Sequence, residues 1–347
     1  MVYISLKKFD KANEYYEKSS SAFNSLNKNV NSDYINIMYD NAIILWSFKK
    51  YDMAEEQFLS TLEIIEKNFG NGHPLYSSCL NSLGVINWQS KKYDKAYNYF
   101  SRAIAIREQI LPSAHPDYAT SIHNFAGLMK DMDRYPEAEN YYSKAFNLYF
   151  LQIQKYFPFM SENEKSKFYF MLKEKFDLFY CYVISRMNEN PSLISQMYDY
   201  HLATKALLLK STKKINEKIL NSKNPTLINT YQNWKDIREN LSVYYSMANY
   251  ELKNLKINLD SLENLANNYE KSLSSSVLDF NEAFNGSQGS WKSIQMQLKE
   301  DEAVIEIIRL RNFNYGWTDT VIYAFLILTK ETRSEEHTSE LQSRQVI

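Results

Sequence analysis

Phe9, Tyr51, Tyr93 and Tyr135 stand 42 residues apart, each inside a near-copy of one short segment. The copies read Lys7-Lys8-Phe9-Asp10, Lys49-Lys50-Tyr51-Asp52, Lys91-Lys92-Tyr93-Asp94 and Asp133-Arg134-Tyr135-Pro136. A constant period of this size restricts the chain to a stacked array, because one unit cannot bury its own apolar face and must lean on the next. Such arrays present an extended concave surface, so binding is expected of this half before chemistry.

The register inside each unit defines its shape. An alanine follows each segment (Ala12, Ala54, Ala96, Ala138), then a ring four residues on (Tyr16, Phe58, Phe100, Tyr142), then a mostly small residue (Ser19, Thr61, Ala103, Ala145). Another small residue lies twelve positions before the alanine: Ala42, Gly84 and Ala126. Offsets of three and four put residues on one helical face. Small residues admit a second helix and rings fill the space beside it. Each unit therefore reads as a helical hairpin that turns at the Lys-Lys-Tyr-Asp segment.

This register resembles the tetratricopeptide repeat, with Gly84, Ala96, Phe100 and Ala103 at that family's small and ring positions. The period is eight residues longer than the family's usual value of about 34, which makes it similar to the kinesin-light-chain subtype. Gly72-His73-Pro74-Leu75-Tyr76 and Ala114-His115-Pro116-Asp117-Tyr118 match that subtype too, and proline suits a helix start. The resemblance covers about residues 1–150 and implies a protein or peptide ligand in the concave groove. The first copy holds only its second helix, about Leu6 to Phe23. A cap of unusual form or a chain that starts upstream of Met1 would each explain this, and the stacking requirement favours the latter.

From 151 to 285 the repeat is lost but helical periodicity persists, predicting long antiparallel helices. Ser161 with Glu164 is a capping box, followed by a stripe through Phe168, Leu172, Phe176, Phe179 and Val183. Pro191 and Pro225 open two more helices, and Leu252 to Leu273 reads as a fourth. Asn285 to Ser290 is a flexible break. Beyond Trp291 the pattern changes: Ala303–Arg311 and Thr320–Thr329 are short β-branched runs around a turn, read as strands of a buried sheet.

Trp291-Lys292-Ser293-Ile294, Glu302 to Glu306, Gly316-Trp317-Thr318-Asp319 and Tyr323-Ala324 resemble the opening of a CHAT domain, a caspase-like fold. Ala203 to Leu209 is similar to the helical linker such proteins carry. The resemblance implies a mainly α chain: a tetratricopeptide superhelix (1–150), a helical linker region (151–285) and the first two strands of an incomplete α/β caspase-like domain (291–332). It implies a parent cysteine peptidase whose catalytic histidine and cysteine lie later in the domain. No residue of this chain matches either motif, so no catalytic residue is assigned and the chain as given is expected to be inactive. Residues 333–343 resemble a translated sequencing adapter, and 333–347 is set aside from the fold.

Composition narrows the rest. With 40 basic and 41 acidic side chains, net charge −1, phosphate-driven nucleic-acid binding is not expected. The longest apolar run, Val321 to Leu328, falls short of a membrane span. Two cysteines form no disulfide framework, which suggests a reducing, cytoplasmic compartment. No Cys/His cluster has metal-binding spacing and no phosphate loop is present, so no metal or cofactor is assigned. Cys181 and His201 lie on amphipathic helices with no orienting third group, and the cysteine reads as a small buried hydrophobe. The candidate partner-binding residues are on the first helices of the hairpins. Tyr39, Asn81 and His123 share one register, with Asn124 beside the last; Trp46 and Trp88 share another. Rings and amides suit an extended peptide or helix, while the same tryptophans would also serve as inter-repeat core.

Overall fold

The computed structural model describes residues 31–112, 114–245, 255–276, 290–313 and 317–332, with 14, 18, 247, 252, 344 and 345. Apart from 14 and 18, the helix expected in the first repeat copy lies outside the described residues. So do 285–289 of the break and the adapter-like 333–343. The fold is mainly α, with helical repeats followed by two antiparallel strands. The chain divides into two compact units, Met1–Gln152 and Ile153–Ile347.

Among the described residues the first unit contains three hairpins: α1 (Ser32–Ser47) with α2 (Tyr51–Phe69), α3 (Pro74–Gln89) with α4 (Tyr93–Ile110), and α5 (Pro116–Asp131) with α6 (Tyr135–Tyr156). In the three described copies every register residue expected inside is inside; Ala12, Tyr16 and Ser19 of the first copy lie outside the described residues. Ala54, Ala96 and Ala138 have no exposed surface, and neither do Phe58, Phe100, Thr61, Ala103 and Ala145. The small positions are small for a reason: a Cβ on Gly84 would stand 2.7 Å from the Phe100 ring.

The hairpin turns share one backbone solution. Lys49, Lys91 and Asp133 take φ of 60°, 58° and 58°. The next amide reaches five residues back: Lys50 N to Leu45 O at 3.0 Å, Lys92 N to Asn87 O at 2.8 Å, Arg134 N to Met129 O at 2.9 Å. This is the Schellman ending, which glycine usually occupies. A non-glycine residue there costs about 1–2 kcal/mol, and burying one ring per hairpin returns about 1.5–3 kcal/mol, so the turn persists. The opposite ends are capped in register as well. Asn31 Oδ1 accepts from Tyr34 N at 2.9 Å, His73 Nδ1 from Leu75 N at 3.2 Å and His115 Nδ1 from Asp117 N at 3.2 Å. The two histidines thus satisfy amides that a helix start leaves open.

The second unit holds α7 (Glu162–Arg186), α8 (Ser192–Asn221), α9 (Pro225–Tyr244), α10 (Leu259–Ser276), the short α11 (Trp291–Gln295), β1 (Ala303–Phe313) and β2 (Trp317–Thr329). The Ser161–Glu164 capping box opens α7, whose Leu172, Phe176, Phe179 and Val183 are buried. The helix expected over Leu252 to Leu273 is interrupted. Lys256 takes φ 55°, Ile257 N bonds back to Leu252 O at 2.9 Å, and Asn258 Oδ1 caps a new start at Ser261 N. Leu255 and Leu265 are exposed, while Ala266 and Leu273 are buried.

β1 and β2 pair antiparallel from Ala303↔Thr329 to Leu310↔Ile322, with a register shift between Arg311 and Phe313. Period-two alternation splits their residues between two faces. Ile308, Leu310, Ala324, Leu326 and Leu328 are buried, whereas Ile305 and Ile307 are 56% and 55% exposed. The sheet is therefore covered on one face only, not buried on both as the apolar runs suggested. Arg344 and Gln345, from the segment set aside as a tail, pair with Tyr323 and Ile322 as β3 (Arg344–Gln345).

Candidate functional site

The first helices of the hairpins carry a polar stripe in strict 42-residue register. Ser78 and Thr120, Ser82 and Asn124, and Gln89 and Asp131 are half-buried or exposed, as are Asp40 and Ser47 on α1. The candidate residues sit along this stripe in different ways.

Tyr39 is half-buried, with its hydroxyl 3.3 Å from Ser82 Oγ and its ring edge-on to Phe58 at 5.5 Å. Burial pushes the Tyr39 hydroxyl above its ordinary range, with the Ser82 contact opposing. The neighbouring Asp40 carboxyl is also raised by burial. Trp46 Nε1 donates to Gln89 Oε1 at 2.9 Å, and Trp88 Nε1 donates to Asp131 Oδ2 at 2.8 Å. Each indole thus reaches into the hairpin that follows. Trp88 lies so close to α5 that a Cβ on Gly127 would meet its ring at 2.5 Å.

Asn81 is half-buried, and its Oδ1 accepts from Ser121 Oγ at 2.9 Å. Asn124 is half-buried beside it on the next hairpin. His123 is different: it is 4% exposed and ringed by Tyr142, Phe146 and Tyr149, with centroids 5.4, 6.0 and 6.0 Å away. The shared register of Tyr39, Asn81 and His123 therefore holds a half-buried ring, a half-buried amide and a core imidazole.

One participant was missed by sequence reading. Arg107 on α4 is 4% exposed and spans two hairpins. Its guanidinium donates to Ser77 Oγ at 3.3 Å, Ser78 Oγ at 3.1 Å and Asp117 O at 2.7 Å, and also to Ser121 Oγ. Burial lowers its pKa, with the Asp117 charge opposing. No carboxylate among the described residues forms an ion pair with it.

The second unit holds a charged cluster on the covered face of the sheet. Glu306 accepts from Lys205 Nζ at 2.9 and 2.6 Å, and His201 Nε2 stands 3.5 Å from its Oε2. Burial lowers the His201 pKa, with Glu306 opposing. Burial, with the charges of Glu306 and Asp199, pushes Tyr198 up to about 12. Cys181 Sγ contacts Arg311 O at 3.4 Å. Glu306 and Arg311 are five residues apart on β1, about 16 Å of strand, so the cysteine and histidine do not form a nucleophile–base pair. Among the described residues no group of three His, Cys, Asp or Glu side chains could hold a metal ion, and no helix is long and apolar enough to cross a membrane.

Paired helices of equal period, stacked through small and ring positions, define a helical-repeat protein of the interaction-module class. Residues 33–109 and 90–149 match the family model for the tetratricopeptide repeat, and the three hairpins are tetratricopeptide repeats. No curated protein sequence matches the chain. Among solved structures, BtubC (BKLC) from P. vanneervenii is similar, at 23% identity and a TM-score of 0.39 over 42% of this chain and 58% of that one. A kinesin light chain with nearly identical TPR-like repeats from Podosopora anserina shares 16% identity, with a TM-score of 0.35 over 44% and 68%. The Rap conjugation gene regulator of plasmid pLS20, in complex with the Phr* peptide, shares 12% identity, with a TM-score of 0.38 over 81% and 73%. The match thus spans little more than half the length of the first of these.

Proposed function

We propose that the three hairpins bind an extended protein or peptide segment along the stripe of their first helices, at Tyr39, Asn81 and Asn124, with Trp46 and Trp88 setting the spacing between rungs. The observation that carries this reading is the register itself. Asp40, Ser82 and Asn124, polar and partly exposed, recur at 42-residue offsets with Tyr39 and Asn81 adjacent to the first two, on helices packed about 8–10 Å apart, close to three residues of extended chain at about 3.3 Å each. His123 belongs to this site as the residue that anchors α5 beneath Asn124. A phage-displayed peptide library panned on the full chain tests the reading. Enriched peptides should lose binding to the Asn81→Ala, Asn124→Ala double variant while its helical circular dichroism is unchanged. A library that yields the same peptides on both proteins overturns the groove.

We further propose that this is the recognition part of a CHAT-domain, caspase-like cysteine peptidase, with β1 and β2 as the opening strands of the peptidase domain. The half-covered sheet supports this, since an apolar outer face at Ile305 and Ile307 is what an incomplete layered domain would leave. The alternative is an adaptor with no peptidase activity. The reading frame downstream of residue 332 at the same locus decides: a histidine and cysteine at the CHAT motif positions support the peptidase, and their absence supports the adaptor. The chain itself is expected to cleave nothing. Proteolysis by the purified protein that is abolished by Cys181→Ala would refute this assignment.

A further inference from the structure

The hydrogen bonds around Arg107 have only one consistent direction. A guanidinium donates and never accepts. Ser77, Ser78 and Ser121 must therefore each accept from Arg107 and spend their single proton elsewhere. Ser77 and Ser78 donate to Pro74 O, at 2.8 and 3.3 Å. Ser121 donates to Asn81 Oδ1 at 2.9 Å. That bond turns the Asn81 oxygen to α5 and leaves its Nδ2, a double donor, towards the partly exposed stripe. Asn81 Nδ2 has no hydrogen-bond partner among the described residues and is not among the buried polar atoms. Ser82, the next residue, has no such constraint, because either member of its contact with Tyr39 could be the donor.

We propose that Arg107, from behind the recognition face, fixes Asn81 as a hydrogen-bond donor, so that this rung takes an acidic side chain of the bound peptide. The inference rests on the groove reading given above and adds the ligand's chemistry. A carbonyl would satisfy Nδ2, but a carboxylate also meets the positive charge one serine behind, and a charge-assisted bond is roughly twice as strong as a neutral one. A lysine side chain would bring donors to a donor. Arg107 is thus a positioning residue, acting through Ser121.

The test uses the full chain with ¹⁵N-labelled asparagine and glutamine, titrated by NMR with three capped pentapeptides, Ac-Ala-Ala-X-Ala-Ala-NH₂, where X is Asp, Asn or Lys. The Asn81 side-chain amide should respond to the Asp peptide at about tenfold lower concentration than to the Lys peptide, the ratio one well-placed hydrogen bond can supply. Ser121→Ala releases the Asn81 amide to turn over while leaving Arg107 in place, and should reduce that ratio to below threefold. A Lys peptide that binds as well as the Asp peptide, or a Ser121→Ala protein that keeps the full preference, overturns the proposal. If Asn124 and Gln89 respond to the peptides but Asn81 does not, the groove stands and the Arg107 relay falls. If none of the three responds, both fall. Arg107→Gln is a second variant, scored only if its circular dichroism matches the parent.

Discussion

Gly127→Ala should loosen the first unit by about 2 kcal/mol, although alanine is the better helix former. The substitution gains about 1 kcal/mol of helix propensity. Against that, the new methyl would lie 2.5 Å from the Trp88 ring, so the ring must retreat by roughly 0.9 Å to restore ordinary contact. Overpacking of this kind costs about 1–3 kcal/mol. The retreat also stretches the 2.8 Å bond from Trp88 Nε1 to Asp131 Oδ2 past hydrogen-bond range, forfeiting part of about 1.5–3 kcal/mol for a bond to a charged acceptor. Cys79 supplies the assay. It lies on α3, the helix that carries Trp88, with no exposed surface, and burial pushes its thiol up to about 12, so it reacts with a disulfide reagent only when the hairpin opens. In a Cys181→Ser background, Gly127→Ala should speed modification of Cys79 about thirtyfold, the factor that corresponds to 2 kcal/mol. In a further Trp88→Leu background the sign should reverse, leaving only the helix gain and a rate a few times slower. An unchanged rate in the first case, or the same acceleration in both, would show that the indole is not what opposes a side chain at Gly127.

Three further outcomes follow from the structure. Lys49→Gly should stabilise the first unit by roughly 1 kcal/mol of αL strain relieved, read as a higher thermal midpoint. Asp133→Gly should gain less, because Asp133 Oδ1 accepts from Tyr135 OH at 2.6 Å; equal gains would contradict this. Asn31→Ala should cost about 1 kcal/mol by leaving Tyr34 N uncapped, read from urea denaturation followed by circular dichroism. His201 should make the second unit acid-sensitive. Its folded pKa is depressed by burial, so the unfolded chain binds the proton first, and stability is lost as pH falls below the ordinary histidine value of about 6.5. His201→Gln should flatten that limb of the stability profile, and an unaltered limb would assign it to other groups.

The repeat fold was legible because it is written three times. Ala54, Phe58 and Thr61 recur as Ala96, Phe100 and Ala103, so chance agreement is small and every such position proved buried. Arg107 was not legible for the complementary reason. Its register partners are Ile65 and Tyr149, so no periodicity marks it, and its serine partners are unremarkable singly. His123 shares a register with Tyr39 and Asn81, yet three large rings close over it, a packing that depends on Tyr142, Phe146 and Tyr149 together. The break at Lys256 escaped notice because lysine gives no sign of positive φ, and leucines on either side suggested one continuous stripe. The outer face of the sheet was misread because Ile305 and Ile307 are as apolar as the buried residues between them; hydrophobicity alone does not say whether a second layer is present.

The indole bonds between hairpins have a direction, each running from the end of one first helix to the next, Trp46 to Gln89 and Trp88 to Asp131. The third hairpin carries lysine at the corresponding place, and the Lys130 ammonium pairs with Asp131 beside it at 3.0 Å. A hairpin added after α6 would meet Lys130 where the earlier hairpins carry an indole, whereas one spliced between the first two would find both a donor and an acceptor. Duplication of an internal unit would therefore carry its indole bond with it, while a copy of the last unit would have to stack on small and ring positions alone.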